Sequence, residues 1–202
     1  MDARQQSPSA ERNREPILAL LRRVLPETGK VLELAAGTGE HAVFFARALP
    51  GLDWTPSDPD PAARASISAW IAAEGLANVR PPCAIDVTDR TWGVENQAPF
   101  DALIAINLIH ISPWPATLGL MQGARRLLKP DGLLITYGAY KRGGAHTAPS
   151  NESFDLWLKQ RDERFGVRDM EAVEAAADAH KLALREVAPM PANNFSLLFA
   201  PA

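Results

Sequence analysis

Short apolar runs alternate with helical patterns of hydrophobic residues along most of the chain. Apolar runs bounded by turn residues predict buried strands, and apolar positions that recur every three or four residues predict helices that cover them. Seven strands are predicted in this way, at residues 31–34, 52–58, 79–87, 100–111, 133–137, 182–187 and 195–199. The regular alternation of strand and helix favours a Rossmann-like, doubly wound α/β sheet.

Two segments depart from this alternation. Residues 1–15 are polar and charged, and we expect a helix to begin only at Pro16, whose fixed φ suits a first helical position. The segment 138–168 is rich in glycine, basic and amide residues and is longer than a plain connection, with one helical piece near residues 154–158. We therefore interpret residues 1–202 as a single domain with an N-terminal arm and one insertion.

Composition narrows the functional classes. The 202 residues are 47% hydrophobic, which is enough to form the core of one domain. The net charge of -3 argues against the basic surface that nucleic-acid-binding proteins carry. The lone cysteine, Cys83, permits no internal disulfide, and no stretch has the pattern of a signal peptide or the length of a bilayer span. We expect a cytoplasmic protein that does not enter membranes, and the sequence predicts no oligomeric state.

Acidic residues and glycines cluster where the first two predicted strands end. A glycine turn between a strand and a helix leaves backbone N–H groups for a ligand, and Gly37 and Gly39 form such a turn. Glu33, just before it, disfavours a pyrophosphate and attracts a cation, which fits the ammonium and sulfonium of S-adenosylmethionine. Asp58 lies about 20 residues beyond the turn, where an acidic side chain can bind a ribose or simply cap a turn.

These residues resemble the first motif of class I S-adenosylmethionine-dependent methyltransferases, acidic-x-Gly-x-Gly-x-Gly. Glu33, Gly37 and Gly39 fit the motif, whereas Ala35 replaces its first glycine. The two closely spaced C-terminal strands also resemble that family, which implies a mostly parallel seven-stranded sheet with an antiparallel last strand. Five further stretches resemble the narrower group named methyltransferase-like protein 26, of the DUF938 type, and they are residues 10–17, 109–114, 149–152, 166–169 and 190–194.

The resemblance implies a cofactor role for residues at successive strand ends. The backbone around Ala35, Gly37 and Gly39 is expected to hold the methionine part of S-adenosylmethionine. The other implied contacts are Asp58 with the ribose hydroxyls, Asp86 with the adenine amino group, Val87 beside the ring, and Asn107 with Leu108 at the methionine end. In the N-terminal arm, Asn13 and Arg14 are expected to fold over the cofactor as part of a lid. No metal is expected, because the four histidines lack metal-ligand spacing.

Methyl transfer from a sulfonium is an in-line displacement, in which the protein aligns the acceptor with the methyl group and excludes water. We expect a small-molecule acceptor. A base is needed only where the acceptor is protonated at the working pH, and His110, near the end of the fourth predicted strand, is the first candidate. Tyr140, Tyr137 and His146 are further candidates. The alternative is that His110 shapes the pocket without moving a proton.

Two other functions are open from the sequence. Residues 37–42 satisfy Gly-x-Gly-x-x-Ala with an acidic residue downstream, as in nicotinamide-dependent oxidoreductases, although Glu33, Asp86 and the terminal strand pair count against that function. A non-catalytic S-adenosylmethionine-binding protein is a further alternative. The stretch Asn107-Leu108-Ile109-His110 lacks the Asn/Asp-Pro-Pro-aromatic pattern of enzymes that methylate base amino groups, so we predict no such activity.

Overall fold

The computed structural model describes residues 3–202 as a central sheet with helices on both faces. Residues 1 and 2 of the predicted N-terminal arm lie outside the described residues. The helices are α1 (Pro8–Val24), α2 (Glu40–Ala48), α3 (Pro61–Glu74), α4 (Trp114–Leu127), α5 (Pro149–Arg161) and α6 (Met170–Ala179). The strands are β1 (Gly29–Leu34), β2 (Leu52–Pro56), β3 (Phe100–Ile106), β4 (Leu128–Arg142), β5 (Ala145–His146), β6 (Arg168–Asp169), β7 (Leu182–Met190) and β8 (Asn194–Pro201).

Six strands form the main sheet in the order β2-β1-β3-β4-β8-β7. β1 pairs in parallel with β2 and β3, and β3 pairs in parallel with β4, whereas β8 runs antiparallel to both β4 and β7. The two-residue strands β5 and β6 pair with the far end of β4, so the described residues contain eight strands rather than seven. The predicted Rossmann-like sheet, mostly parallel with an antiparallel last strand, is confirmed. Because β2 and β3 flank β1, a crevice opens at the carboxyl end of β1.

Two apolar clusters cover the two faces of the sheet. On one face, Ile17 and Leu21 of α1 and Phe45 of α2 are buried. On the other face, Leu120 of α4 and Val173 of α6 are buried. Removal of these side chains from water is the main favourable term in folding, and burial on both faces makes the central strands almost continuously apolar.

The third predicted strand, residues 79–87, is not a strand. Within residues 3–202, two isolated bridges, at Val79 and Cys83, tie this segment to the edge of the sheet. Pro81 and Pro82 lack the N–H groups that a continuous ladder requires. The segment therefore runs alongside β2 without extending the sheet.

The fourth predicted strand is too long. β3 ends at Ile106, although the apolar run continues to Ile111. Asn107 has a φ of 58°, in the left-handed region that asparagine tolerates, and its carbonyl oxygen accepts hydrogen bonds of 3.1 Å from the N–H groups of His110 and Ile111. The chain therefore turns just beyond β3, and Leu108 is buried in that turn rather than in a strand.

Helix α1 begins at Pro8 rather than at Pro16. Ser7 caps the helix, since its side chain accepts a hydrogen bond of 3.4 Å from the N–H group of Ala10, and Pro8 takes the first helical position. Pro16 lies inside the helix, where it has no N–H group to donate. The polar arm is therefore largely the first two turns of α1, which carry too few apolar residues to show a helical stripe.

Two glycines of α4 allow residues 85–94 to approach this helix closely. A Cβ at Gly119 would lie 2.1 Å from the carbonyl oxygen of Val87, and a Cβ at Gly123 would lie 2.1 Å from the ring of Trp92. Real side chains do not tolerate such distances. The glycine face of α4 thus fixes the position of Val87 without strand pairing.

We predict that Gly119→Ala destabilises the protein by roughly 1–3 kcal/mol, because the added methyl group displaces the Val87 backbone. Inside a helix, alanine is intrinsically favoured over glycine by about 1 kcal/mol, so a loss of stability reports the close approach. Gln122→Ala, on the exposed side of the same helix, is the control. Urea unfolding measures both variants, and a Gly119→Ala protein as stable as the wild type would contradict this packing.

Candidate active site

The turn after β1 brings bare backbone to the carboxyl end of the sheet. Ala35, Gly37 and Gly39 have positive φ angles of 52°, 57° and 89°. At Ala35 this conformation costs an L-residue about 1 kcal/mol or more. A Cβ at Gly37 would meet no atom within 4 Å, whereas a Cβ at Gly39 would lie 2.8 Å from the Cα of Ile67. Gly37 therefore borders open space, and Gly39 allows α3 to pack against the turn.

Ser57 fixes this turn against the end of β2. Its N–H group and its hydroxyl both donate to the carbonyl oxygen of Glu33 at 2.8 Å. Its own carbonyl oxygen accepts a hydrogen bond of 2.8 Å from the N–H group of Ala36. The ends of β1 and β2 are thus held in one arrangement.

Asp58 stands where these two strand ends meet. Its Oδ2 atom accepts a hydrogen bond from the N–H group of Gly37, and its Oδ1 atom accepts one from the N–H group of Asp60, both at 2.9 Å. Burial raises the pKa of Asp58, although both hydrogen bonds oppose the rise. Two bonds use about half of the acceptor capacity of a carboxylate, so Asp58 can accept further hydrogen bonds from ligand hydroxyls.

Glu33 is a carboxylate buried near the tip of β1, with 1% of its surface exposed. Its Oε2 atom accepts a hydrogen bond of 2.7 Å from the indole nitrogen of Trp54. Burial raises the pKa of Glu33 to about 7, the hydrogen bond from Trp54 opposes this rise, and the charge of Asp58 adds to it. A cation that reaches Glu33 would stabilise its charged form, because it replaces the lost hydration.

A cleft of about 530 Å³, here called the Val87 cleft, lies between the turn after β3 and residues 85–88. The carboxylate of Asp86 is oriented by Thr88, whose N–H group and hydroxyl donate to Oδ1 at 2.9 and 2.7 Å. Six of the predicted cofactor residues line this cleft, namely Ala35, Asp58, Asp86, Val87, Asn107 and Leu108. The structure therefore brings together residues that are up to 73 positions apart in sequence (108 − 35).

A second cavity of about 750 Å³, here called the loop cavity, lies between the turn after β1 and residues 5–13, here called the N-terminal segment. Three carboxylates, those of Glu33, Asp58 and Asp60, line it together with one guanidinium, that of Arg161. Gly37 also lines it. The cavity thus combines acidic side chains with open backbone.

The N-terminal segment is tied across the turn by two polar contacts. The N–H group of Ser7 donates to Glu40 Oε2 at 2.5 Å. His41 Nε2 lies 2.7 Å from Asn13 Oδ1, and since an amide oxygen only accepts, the imidazole donates. Burial lowers the pKa of His41 to about 4, with a contribution from the charge of Arg14, so this histidine is neutral at pH 7. Asn13 lines the loop cavity, and its expected role in a lid over the cofactor stays a prediction.

Arg14 does not accompany Asn13 into the site, which corrects our expectation. Its guanidinium carbon lies 4.8 Å from the ring centroid of Phe44, and the side chain lines none of the cavities described here. Successive helical residues point about 100° apart, so two neighbours on α1 face different ways. Ser9, Asn13 and Pro16, which are spaced by one helical turn, form the cavity side of α1.

A third cavity of about 520 Å³, here called the α5 cavity, lies between α1 and α5. It combines aromatic and amide side chains, including Tyr137, Asn151, Phe154, Trp157 and Asn194. Asn107 and Ile111 line this cavity, the Val87 cleft and the loop cavity alike. The three cavities therefore meet at the turn after β3.

The two predicted bases, His110 and Tyr140, lie beneath the site rather than in it. Both are 0% exposed, their ring centroids are 4.8 Å apart, and neither lines any of the three cavities. Burial lowers the pKa of His110 to about 3, with a contribution from the charge of Arg168, and burial raises the pKa of Tyr140. The Tyr140 hydroxyl shares a hydrogen bond of 2.8 Å with Thr136. Because neither group lines a cavity that could hold a ligand, the expectation of a base at these positions is corrected.

The 138–168 insertion contributes α5 and braces the turn after β3. Arg168, the last residue of the insertion and the first of β6, donates to the carbonyl oxygens of Ile109 and Ser112 at 3.0 and 2.6 Å. His146, another candidate base, lies 3.4 Å from Asp155 through its Nε2 atom. The insertion thus forms one wall of the α5 cavity, with His146 outside that cavity's lining.

Apart from Asn13, Asn107 and Tyr137, the residues that line the α5 cavity were not singled out from the sequence. A usable signal was present, because the stretches 10–17, 149–152 and 190–194 carry the resemblance to a narrower group and each contributes lining residues. Trp157 and Phe154 lie outside those stretches. The sequence signal for these two residues was their spacing of three positions, which places both on one face of a helix.

The order and direction of the strands define the fold of class I methyltransferases. The chain is similar to the mitomycin 7-O-methyltransferase MmcR, with a TM-score of 0.81 and 15% identity over 96% of this chain and 54% of that chain. It is similar also to CalO1, a methyltransferase in calicheamicin biosynthesis solved in an SAH-bound form, with a TM-score of 0.75 and 17% identity over 96% of this chain and 54% of that chain. The chain spans about half the length of these structures.

The chain belongs to the family described as "Protein of unknown function (DUF938)", whose model matches residues 4–201. A curated relative, the tRNA (guanine-N(7)-)-methyltransferase of Rhodopseudomonas palustris (strain BisA53), is 36% identical over 84 residues, which are 42% of this chain and 32% of that protein. Within residues 3–202, no helix has both the length and the apolar character needed to cross a membrane. The same residues contain no group of three or more His, Cys, Asp or Glu side chains that could hold a metal ion.

Glu33 gives a pH dependence of stability with a definite sign. Its pKa is raised from 4.5 to about 7 on folding, so the folded state holds this proton more tightly than the unfolded chain. The free energy of unfolding therefore falls as pH rises from 4.5 to 7, by about 3 kcal/mol from this group. We predict that urea unfolding of the wild type shows this loss relative to Glu33→Gln, which keeps an acceptor for Trp54. An equal pH response of both proteins would contradict it.

Proposed function

We propose that the protein is an S-adenosylmethionine-dependent methyltransferase that acts on a small-molecule acceptor. The observation that carries this proposal is the meeting of the three cavities at Asn107 and Ile111. The acidic loop cavity suits the cationic half of the methyl donor, and the more apolar Val87 cleft suits its adenine. A ligand that fills both borders the α5 cavity, which leaves that cavity for the acceptor.

The residues present fit this donor. The open space beside Gly37 admits a ligand to the backbone of the turn, and the buried Glu33 gains from a nearby positive charge. Our proposal assigns the methionine part to the turn formed by Ala35, Gly37 and Gly39, with Glu33 beneath it. The other proposed contacts are Asp58 with the ribose, Asp86 and Val87 with the adenine, Asn107 and Leu108 at the methionine end, and Asn13 from α1. No metal is part of the proposal.

The methyl donor supplies a carbon activated by a sulfonium, which an acceptor displaces in line. The contribution of the chain is to position the acceptor and to exclude water. Asn107 and Ile111 border both substrates, so they fix where donor and acceptor meet. The contacts of Ser7 with Glu40 and of Asn13 with His41 hold the N-terminal segment over the donor, as a lid.

The alternatives fit this site less well. In a nicotinamide-dependent oxidoreductase a pyrophosphate would face the carboxylates of the loop cavity, which is unfavourable. A donor-binding protein without catalysis leaves the α5 cavity without a role. The tRNA methyltransferase relative makes a nucleic-acid acceptor a further alternative, and the net charge of -3 argues against it. We also infer membership of the methyltransferase-like protein 26 group, from the five resembling stretches, and a cytoplasmic location, from the lone Cys83.

Calorimetry tests the proposed function directly. We expect S-adenosylmethionine and its demethylated product to bind with one site per chain, and NAD and NADPH to give no binding heat. The variant Asn13→Ala should bind the donor more weakly, since it loses the contact between the lid and His41. Binding of a dinucleotide, or no binding of either adenosyl compound, would overturn the proposal. An unchanged affinity of Asn13→Ala for the donor would contradict the proposed lid.

A pair of glycine variants isolates the role of the turn. Gly37 and Gly75 have φ angles of 57° and 61°, and a Cβ at either would meet no atom within 4 Å. We predict that Gly37→Ala and Gly75→Ala lose a similar stability of about 1 kcal/mol. Gly37→Ala alone should weaken donor binding, by roughly tenfold, because its methyl group enters the loop cavity. Equal donor affinity in the two variants would show that the turn does not contact the donor.

A further inference from the structure

The α5 cavity is lined by amides, hydroxyls and aromatic rings rather than by proton acceptors. Its amides are those of Asn13, Asn107, Asn151 and Asn194, and its hydroxyls are those of Ser9, Ser150 and Tyr137. Among the described residues that line it, none is Asp, Glu, His, Lys or Cys. A general base needs hydrogen-bond reach to the proton that it removes, so the lining offers Tyr137 at most.

Tyr137 does not serve as that base. Burial raises the pKa of its hydroxyl, and its hydrogen bond with Asn13 and the charge of Arg12 oppose the rise without reversing it. The hydroxyl is therefore protonated at neutral pH. Among residues 3–202, Arg12 is the one charged residue in the lining of the α5 cavity, so the cavity favours a negative ligand.

The titratable groups near the α5 cavity contact other residues of the protein or line the proposed donor site. The carboxylates proposed to contact the donor line the loop cavity or the Val87 cleft. His41, in the loop cavity, is neutral and bonded to Asn13. Asp155, on α5, faces Lys141, His146 and Lys159 at 3.5, 3.4 and 2.8 Å. Burial raises the pKa of Asp155, but hydrogen bonds from Lys159 and the Val167 N–H group, with the charges of both lysines, keep it below its ordinary value. None of these groups is placed to take a proton from a ligand in the α5 cavity.

The same cavity presents a flat aromatic surface. Trp157 is 46% exposed, although large aromatic side chains are usually buried. Its neighbours on α5 hold it in place, since the ring of Phe154 stacks on it at 5.9 Å between centroids and the guanidinium of Arg161 lies 4.7 Å from its ring centroid. An exposed, well-held indole in a cavity is suited to a planar ring.

We infer that the acceptor is a planar aromatic compound whose oxygen or sulfur nucleophile is already ionised at neutral pH, so that the protein provides no base. This inference rests on the proposed function. The bond between sulfur and the methyl carbon breaks, its electron pair remains on the sulfur as a thioether, and the anionic oxygen or sulfur forms the new bond to carbon. No proton moves, and the positive and negative charges of the reactants are both neutralised, which exclusion of water from the site favours.

The pH profile of the reaction distinguishes this mechanism from one with an enzymic base. The probes are 4-nitrophenol, which ionises near neutral pH, phenol, which ionises near pH 10 as tyrosine does, and 4-nitrothiophenol as the sulfur analogue. At saturating S-adenosylmethionine, transfer of a labelled methyl group gives kcat/KM for each probe against pH. We expect the inflection to move with the ionisation of the probe, and the two nitro probes show whether oxygen or sulfur is preferred. One fixed inflection for all probes would overturn the inference.

A binding measurement and two neighbouring variants complete the test. Calorimetry of 4-nitrophenolate with protein saturated with S-adenosylhomocysteine should show binding that Trp157→Ala weakens by up to about tenfold. Leu156→Ala is the matched control, because Leu156 is the adjacent residue, 57% exposed and absent from the lining of the α5 cavity. Equal losses in both variants, or no binding and no methylation of any aryl anion by protein that binds the donor, would overturn the inference. Absence of donor binding would instead overturn the proposed function.

Discussion

A carboxylate buried near the tip of a central parallel strand is the constraint on which the rest of the site depends. Glu33 has lost nearly all its hydration and has one hydrogen bond, from Trp54, in return. Burial of an ionised group in this way is unfavourable unless a proton or a cation accompanies it. The surrounding structure keeps the Glu33 carboxylate buried, since Ser57 donates two hydrogen bonds to the carbonyl oxygen of Glu33 and holds the adjacent turn. The crevice is thereby biased toward cations and against phosphates.

The fold could be predicted because both faces of the sheet are covered. Two-sided burial makes each central strand an apolar run, and such runs are visible in the sequence. The same rule made the fourth predicted strand too long, because apolar residues buried in a turn look identical in sequence to those in a strand. Leu108 belongs to a turn that begins at the left-handed Asn107, and His110, placed by the pattern at a strand end, folds inward with that turn.

The candidate site was predictable only in part. The residues around the turn after β1 and the Val87 cleft follow strand ends, so topology alone brings them together. The α5 cavity instead collects residues from α1, the turn after β3, α5 and the β7–β8 turn, and no spacing rule joins segments so far apart in sequence. The prediction for Arg14 failed for a local reason. The direction of its side chain depends on where α1 begins, and the polar first turn and the internal Pro16 did not show that start in the sequence.

The position of α1 has a kinetic consequence. Two residues of α1, Ser9 and Asn13, line both the loop cavity and the α5 cavity. In the proposed enzyme, the two compartments share a wall, so displacement of that wall opens them together. Spent donor and finished product would then escape in one event rather than in sequence, and the turnover number would reflect the opening frequency of α1 wherever that motion is slower than the chemistry.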